Sequence, residues 1–150
     1  RPPDSMGRQG EVNKASTLPD YWDAVDEVDE AHPFRLATSP SRSFLNSTFA
    51  ETPGSKSKEG APSLMINPSD AAVLDISDRD EVEISNRQGA VFLIASVTDR
   101  AKVGVVVAEG LHPNKAHKNG KGINTLTSAD TVMPHGGAAL HDTKVAVRRM

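Results

Sequence analysis

A chain of 150 residues with 17 Lys and Arg, 20 Asp and Glu, no Cys, one Trp, one Tyr and 37% hydrophobic residues is sized for one core and little more. The absence of cysteine excludes disulfide frameworks, thiolate metal sites, iron–sulfur ligation and thiol nucleophiles. No window approaches the roughly 18 apolar residues of a membrane span, and the N-terminal RPPDSMGRQG lacks the apolar centre of a signal peptide, so no membrane insertion and a cytoplasmic setting are expected.

The formal charge of −3 averages two unlike parts. Residues 1–31 carry eight acids against Arg1, Arg8 and Lys14, a balance of −5, while residues 32–150 hold 12 acids and 14 bases, a balance of +2. Neither part has the dense basic stripe that phosphate contacts to nucleic acid require, so no nucleic-acid partner is expected.

The first sixteen residues are rich in Gly, Pro, Ser and charge, bury nothing and read as disordered. In TLPDYWDAVDEVDEAHP, Tyr21, Val25 and Val28 fall at i, i+4 and i+7, the spacing of a short amphipathic helical turn. Its Tyr21–Trp22 pair reads as an aromatic clip onto the body. With Arg1 rather than Met at its start, residues 1–31 are expected to be an acidic linker from an upstream domain, and residues 32–150 the folded unit.

From Phe34 the text changes to short β-type runs: Phe34–Thr38, Leu64–Ile66, Glu81–Ser85, Ala90–Val97, Val103–Ala108 and Lys144–Arg148. Val82 and Ile84 alternate against charges, and Val91, Leu93, Ala95 and Val97 oppose Phe92 and Ile94. Asn86-Arg-Gln-Gly89 joins two of the runs as a hairpin. Six short strands in so few residues predict a closed barrel, which leaves no exposed sheet edge. One helix interrupts them, Pro68 to Leu74, with Asn67 as N-cap, Pro68 at the first position and Asp70 beside the free N–H groups. Asp75–Asp80 then turns the chain back.

There is no HExxH, GxSxG, Walker A or GxGxxG sequence, and no catalytic residue is expected. His112, His117, His135 and His141 lack the helical pairing beside a carboxylate that would favour a metal, so no protein-held metal is expected either. The chemistry lies in three polar stretches beside strands. Thr38–Thr48 packs hydroxyls, Arg42 and an amide into eleven residues, Glu109–Asp130 carries Lys115, Lys118 and Lys121, and the third stretch is His135–Thr143. Together around one barrel they point to a single anion-binding face.

The segments FRLATSPSRSFLNSTF, PSLMINPSDAAVLDISDRDEVEISNRQGAVFL, VGVVVAEGLHPN, GKGINTLTSAD and GGAALHDTKVAVR, in this order, resemble the C-terminal domain of the molybdopterin guanine dinucleotide oxidoreductases. That superfamily includes dimethyl sulfoxide reductase, formate dehydrogenase and nitrate reductase, and the resemblance runs from about His32 to Arg149. It implies an all-β fold with minor α content, a six-stranded double-psi β-barrel whose loops at one end hold the pterin and pyrophosphate of molybdopterin guanine dinucleotide. Molybdenum or tungsten would be carried by the cofactor.

Carried over residue by residue, the first loop contributes Thr38, Ser39, Arg42, Phe44, Asn46 and Ser47, the N-x-L-T motif Asn124 and Thr127, and the last stretch His141, Asp142 and Lys144. The implied partners are upstream domains of a parent oxidoreductase, which would supply the catalytic groups, and an electron-transfer subunit. The alternative is a stand-alone barrel of the same topology serving as a protein or peptide adaptor. The sequence departs from the family at Asp75 and Arg79, where glycine is usual, and at His112, where an aromatic is frequent. If positive φ is needed at Arg79, the turn there is strained by about 1 kcal/mol.

Overall fold

A computed structural model of the chain describes residues 27–129, 131–132, 137–138, 140 and 143–150. The expected helical turn at Tyr21 and Trp22, with its aromatic clip, lies outside these residues. The strands are β1 (Phe34–Ser39), β2 (Ser63–Ile66), β3 (Glu81–Asn86), β4 (Gly89–Val97), β5 (Val105–Glu109), β6 (Thr131–Val132), β7 (Gly137–Ala138) and β8 (Thr143–Arg149). Six of them close into a barrel in the order β1-β5-β2-β4-β3-β8, and β6 and β7 form a separate two-stranded sheet. The pairs β1–β5 and β2–β4 are parallel, and the other four barrel pairings are antiparallel. This crossed, closed order is the double-psi barrel that was expected.

Alternation explains the core. Val82 and Ile84 of β3, Val91, Leu93 and Ala95 of β4, and Val145 and Val147 of β8 point inward and are buried, as are Leu64, Ile66 and Val106. The hairpin turns at Arg87-Gln88, with Asn86 opposite Gly89. Outside the barrel, Arg148 lays both ends of its guanidinium on the Glu83 carboxylate, at 2.9 and 3.0 Å, tying β8 to β3.

Helix α1 (Pro53–Glu59) was not expected, and helix α2 (Pro68–Val73) was. The Asn67 Oδ1 accepts from the Ser69 N–H at 2.9 Å and its Nδ2 donates to the Ala101 carbonyl, while Asp70 accepts from the Gly104 N–H. Asn67 therefore caps α2, and both side chains lash the helix to the turn that feeds β5, a structural duty for each.

After α2 the chain takes positive φ at Asp75, 53°, and at Arg79, 72°. Asp tolerates this region and Arg does not. Arg79 is 86% exposed and only 3.6 Å from Asp78, a surface pair of little value. Arg79→Gly should therefore stabilise the chain, by about 0.5–1 kcal/mol after the added unfolded-state entropy of glycine is subtracted, read as a higher urea midpoint at unchanged m.

Candidate cofactor site

β1 and β5 run parallel and so end at one rim of the barrel. Beyond that rim lies a cavity of about 620 Å³, within the usual range for a small-ligand site. Leu36, Ile123 and Leu126 form its apolar floor, and Gly110, Leu111, Leu140 and Thr143 complete the wall. Thr38 and Ser39 at the end of β1, Asn46 from the following loop, and Asn124 and Thr127 at the 3₁₀ turn Ile123–Leu126 supply its hydroxyls and amides. No lining residue among those described carries a charge.

Five of the sequence-derived site residues thus meet at one mouth. Asn46 does so from a tight turn in which Leu45 and Thr48 exchange N–H···O bonds of 3.1 and 2.7 Å, with φ of 47° at Asn46, a value an amide side chain tolerates. Ser47 and Arg42 stand exposed on the same loop. His141 and Asp142 lie outside the described residues.

Two others are placed elsewhere. Phe44 is buried behind the mouth, edge-on to the His112 ring with centroids 5.2 Å apart. Lys144 alternates with the inward Val145 and so stands on the outer face, where its Nζ holds the Asp29 carboxylate at 2.9 Å. That contact, with the His32 N–H, pulls the Asp29 carboxyl down to about 2.

The loop that carries Asn46 is set by α1. Ser55 Oγ donates to the Ser43 carbonyl at 2.8 Å, and the Ser43 N–H donates to Glu59 Oε1 at 2.7 Å. The Ser43 hydroxyl, then the Ser41 hydroxyl and the Ser43 amide, keep the Glu59 carboxyl below its usual range. Glu51 joins the helix to the far loop through Lys56 at 2.9 Å and Lys115 at 3.0 Å. Gly110 has φ of 76°, and a Cβ there would lie 2.7 Å from the Phe44 ring. Gly110 and Leu111 were not singled out from the sequence. Their signal was the glycine that ends the apolar run of β5.

His112 turns away from the mouth toward Phe44 and His117. His117 is buried, its Nδ1 faces the Phe92 carbonyl at 3.4 Å, and its Nε2 has no partner among the described residues. An Nδ1 facing a carbonyl must carry the proton, which leaves Nε2 a buried, orphaned acceptor. Burial holds the pKa of both histidines below 6.5. A depressed folded-state pKa means stability that is present above 6.5 and is lost as pH falls through the folded values. The urea midpoint should therefore drop between pH 7 and pH 5, and drop less in His117→Asn, whose Nδ2 lies where Nδ1 does and can still donate to Phe92 but does not titrate. An equal drop in both proteins would assign the loss elsewhere. Among the described residues no three His, Asp or Glu stand together as a metal site.

A closed barrel whose mouth carries a hollow rimmed, among the described residues, by amides and hydroxyls has the form of a ligand-holding module. Residues 34–144 match the family described as Molydopterin dinucleotide binding domain, and the chain belongs to that family. "Probable oxidoreductase YoaE" of Bacillus subtilis (strain 168) is 34% identical over 133 residues, which is 89% of this chain and 19% of that protein. The chain therefore spans about a fifth of the length of this curated relative. Acetylene hydratase from Pelobacter acetylenicus shares the fold, with a TM-score of 0.67 at 13% identity over 79% of this chain and 18% of that one.

Proposed function

We propose that this barrel is the cofactor-holding domain of a larger molybdenum or tungsten oxidoreductase, binding the pterin and pyrophosphate of molybdopterin guanine dinucleotide at its mouth. The observation that carries this is the convergence of Asn46, Asn124, Thr127, Thr38 and Ser39 on one cavity. The residues fit the group. Amides and hydroxyls both donate and accept, as the edge of a pterin demands, and the apolar floor of Leu36, Ile123 and Leu126 suits a ring face. Arg42, exposed on the Asn46 loop, is the cation that would meet the pyrophosphate.

When bound, such a cofactor supplies the electron-transfer chemistry, and the protein supplies position and electrostatics. Asn124 would hold the ring edge, Thr38 and Ser39 would offer hydroxyls beside it, and the apolar floor would exclude water beneath it. A mouth open on one side leaves the rest of the pocket to a partner domain. The chain's 19% share of its relative leaves ample length for one. Asn124→Ala and Asn46→Ala should each weaken binding of released molybdopterin guanine dinucleotide about threefold to tenfold, measured by equilibrium dialysis. Equal affinity in wild type and both variants would remove the mouth as the site.

A further inference from the structure

The turn that presents Asn124 and Thr127 is a single 3₁₀ turn, too short to hold its own shape. Its supports come from a distant hairpin. The Asn86 Nδ2 donates to the Leu126 carbonyl at 2.8 Å, across 40 residues of sequence, while its Oδ1 accepts from the Gln88 N–H at 2.9 Å. The two bonds need opposite ends of the amide, so they fix its orientation and make Asn the only common side chain of this length that serves both. Beside it, Gly89 lies so close to the turn that a Cβ would sit 2.8 Å from Thr125 Cγ2. On the approach to the turn, the Asn119 Nδ2 donates to the Ala90 carbonyl at 2.9 Å.

We infer that Asn86 is a positioning residue for the cofactor site: it clamps the Ile123–Leu126 turn from outside the cavity and so sets where Asn124 and Thr127 stand. Asn86 does not line the mouth, so its effect on a ligand passes through the turn. The inference rests on the proposed cofactor role only for its consequence in binding, because the clamp itself is a property of the free protein.

Two substitutions separate the clamp from the hairpin. Asn86→Asp keeps an acceptor for the Gln88 N–H and loses the donor to Leu126, whereas Asn86→Ala loses both. The amides of Thr125 and Thr127, bonded to the Gly122 and Asn124 carbonyls at 2.9 and 3.2 Å, report on the turn without any ligand. Hydrogen exchange at these two amides should quicken about fivefold or more in both variants, while exchange in β1 and β5 stays at the wild-type rate. Affinity for released molybdopterin guanine dinucleotide should fall about threefold to tenfold in both.

If exchange at Thr125 and Thr127 is unchanged, the clamp does not exist. Faster exchange with wild-type affinity, in a protein that binds, would show that the clamp does not position the site. A role confined to the hairpin would change neither exchange at Thr125 and Thr127 nor affinity in Asn86→Asp, which keeps the Gln88 bond, and would lower the thermal midpoint only in Asn86→Ala; that pattern would overturn the inference. Should the wild-type protein fail to bind at all, the cofactor reading falls, and the exchange measurement still decides the clamp.

Discussion

Gly110→Ala should lower the unfolding free energy by about 2–5 kcal/mol. Two costs add. A non-glycine residue at φ of 76° is strained by about 1–2 kcal/mol. The new Cβ would also lie 2.7 and 2.8 Å from two atoms of the Phe44 ring and 2.9 Å from Ser41 Cβ. Phe44 is 4% exposed and edge-on to His112, so relieving the overlap requires the ring pair to shift, and overpacking of this kind costs about 1–3 kcal/mol. Because Gly110 also lines the mouth and its N–H donates to the Ser39 carbonyl at 2.8 Å, the strain falls directly on the site. Urea denaturation measures the loss. Pairing Gly110→Ala with Phe44→Ala should recover the clash and leave the backbone strain, an energetic coupling of about 1 kcal/mol or more. A loss of only about 1–2 kcal/mol, with no coupling to Phe44→Ala, would leave the backbone strain alone and mean that the Gly110–Phe44 contact is loose.

Leu126→Ala should cost about 2–5 kcal/mol, because it empties a fully packed position at the junction of core and site. Leu126 is 1% exposed, belongs to the main core cluster, and forms part of the cavity floor. Against a typical total stability of about 5–15 kcal/mol, that is from about an eighth of the whole upward. Asn124, two residues away, is exposed, so Asn124→Ala should change stability by less than about 0.5 kcal/mol while weakening the ligand. The two substitutions divide the turn into a half that holds the fold and a half that faces the cofactor. Comparable destabilisation by both would contradict that division.

The barrel was open to reading because its strands obey a period of two, with Val82 and Ile84, or Val91, Leu93 and Ala95, falling on the buried face in register. Helix α1 was not, since its one buried residue is Ser55 and no apolar stripe marks it. What holds it is polar and distant: the Ser43 carbonyl 12 residues away and the Ser43 N–H 16 residues from Glu59. In the site, the polar loop that holds Thr38, Ser39 and Asn46 stood out by its hydroxyls and amide, whereas Asn124 and Thr127 came only from the family resemblance; the structure sets all five around one cavity. Gly110, Leu111, Leu140 and Thr143 fell inside the polar stretches Glu109–Asp130 and His135–Thr143 but were not named one by one, because a glycine, two leucines and a strand threonine carry little ligand-binding chemistry of their own. The outward setting of Lys144 was available in the alternation of Val145 and Val147, and the resemblance to a family motif overrode it. The Asn86 clamp could not be read from sequence, since nothing local links it to Leu126.

The acidic leader also gains meaning. Asp29 reaches the barrel and occupies Lys144, so part of the −5 of residues 1–31 is spent on a contact with the slightly cationic body. Electrostatics at this rim should therefore weaken with salt.

The most direct measurement is an amide chemical-shift map of the isotopically labelled chain titrated with released molybdopterin guanine dinucleotide. Shifts should gather at Thr38 and Ser39, Asn46, Gly110 and Leu111, and Asn124 to Thr127. Shifts confined to the opposite end, around Asn67 to Val73, or an undisturbed mouth beside a strong response to peptide on another face, would contradict a cofactor-holding barrel.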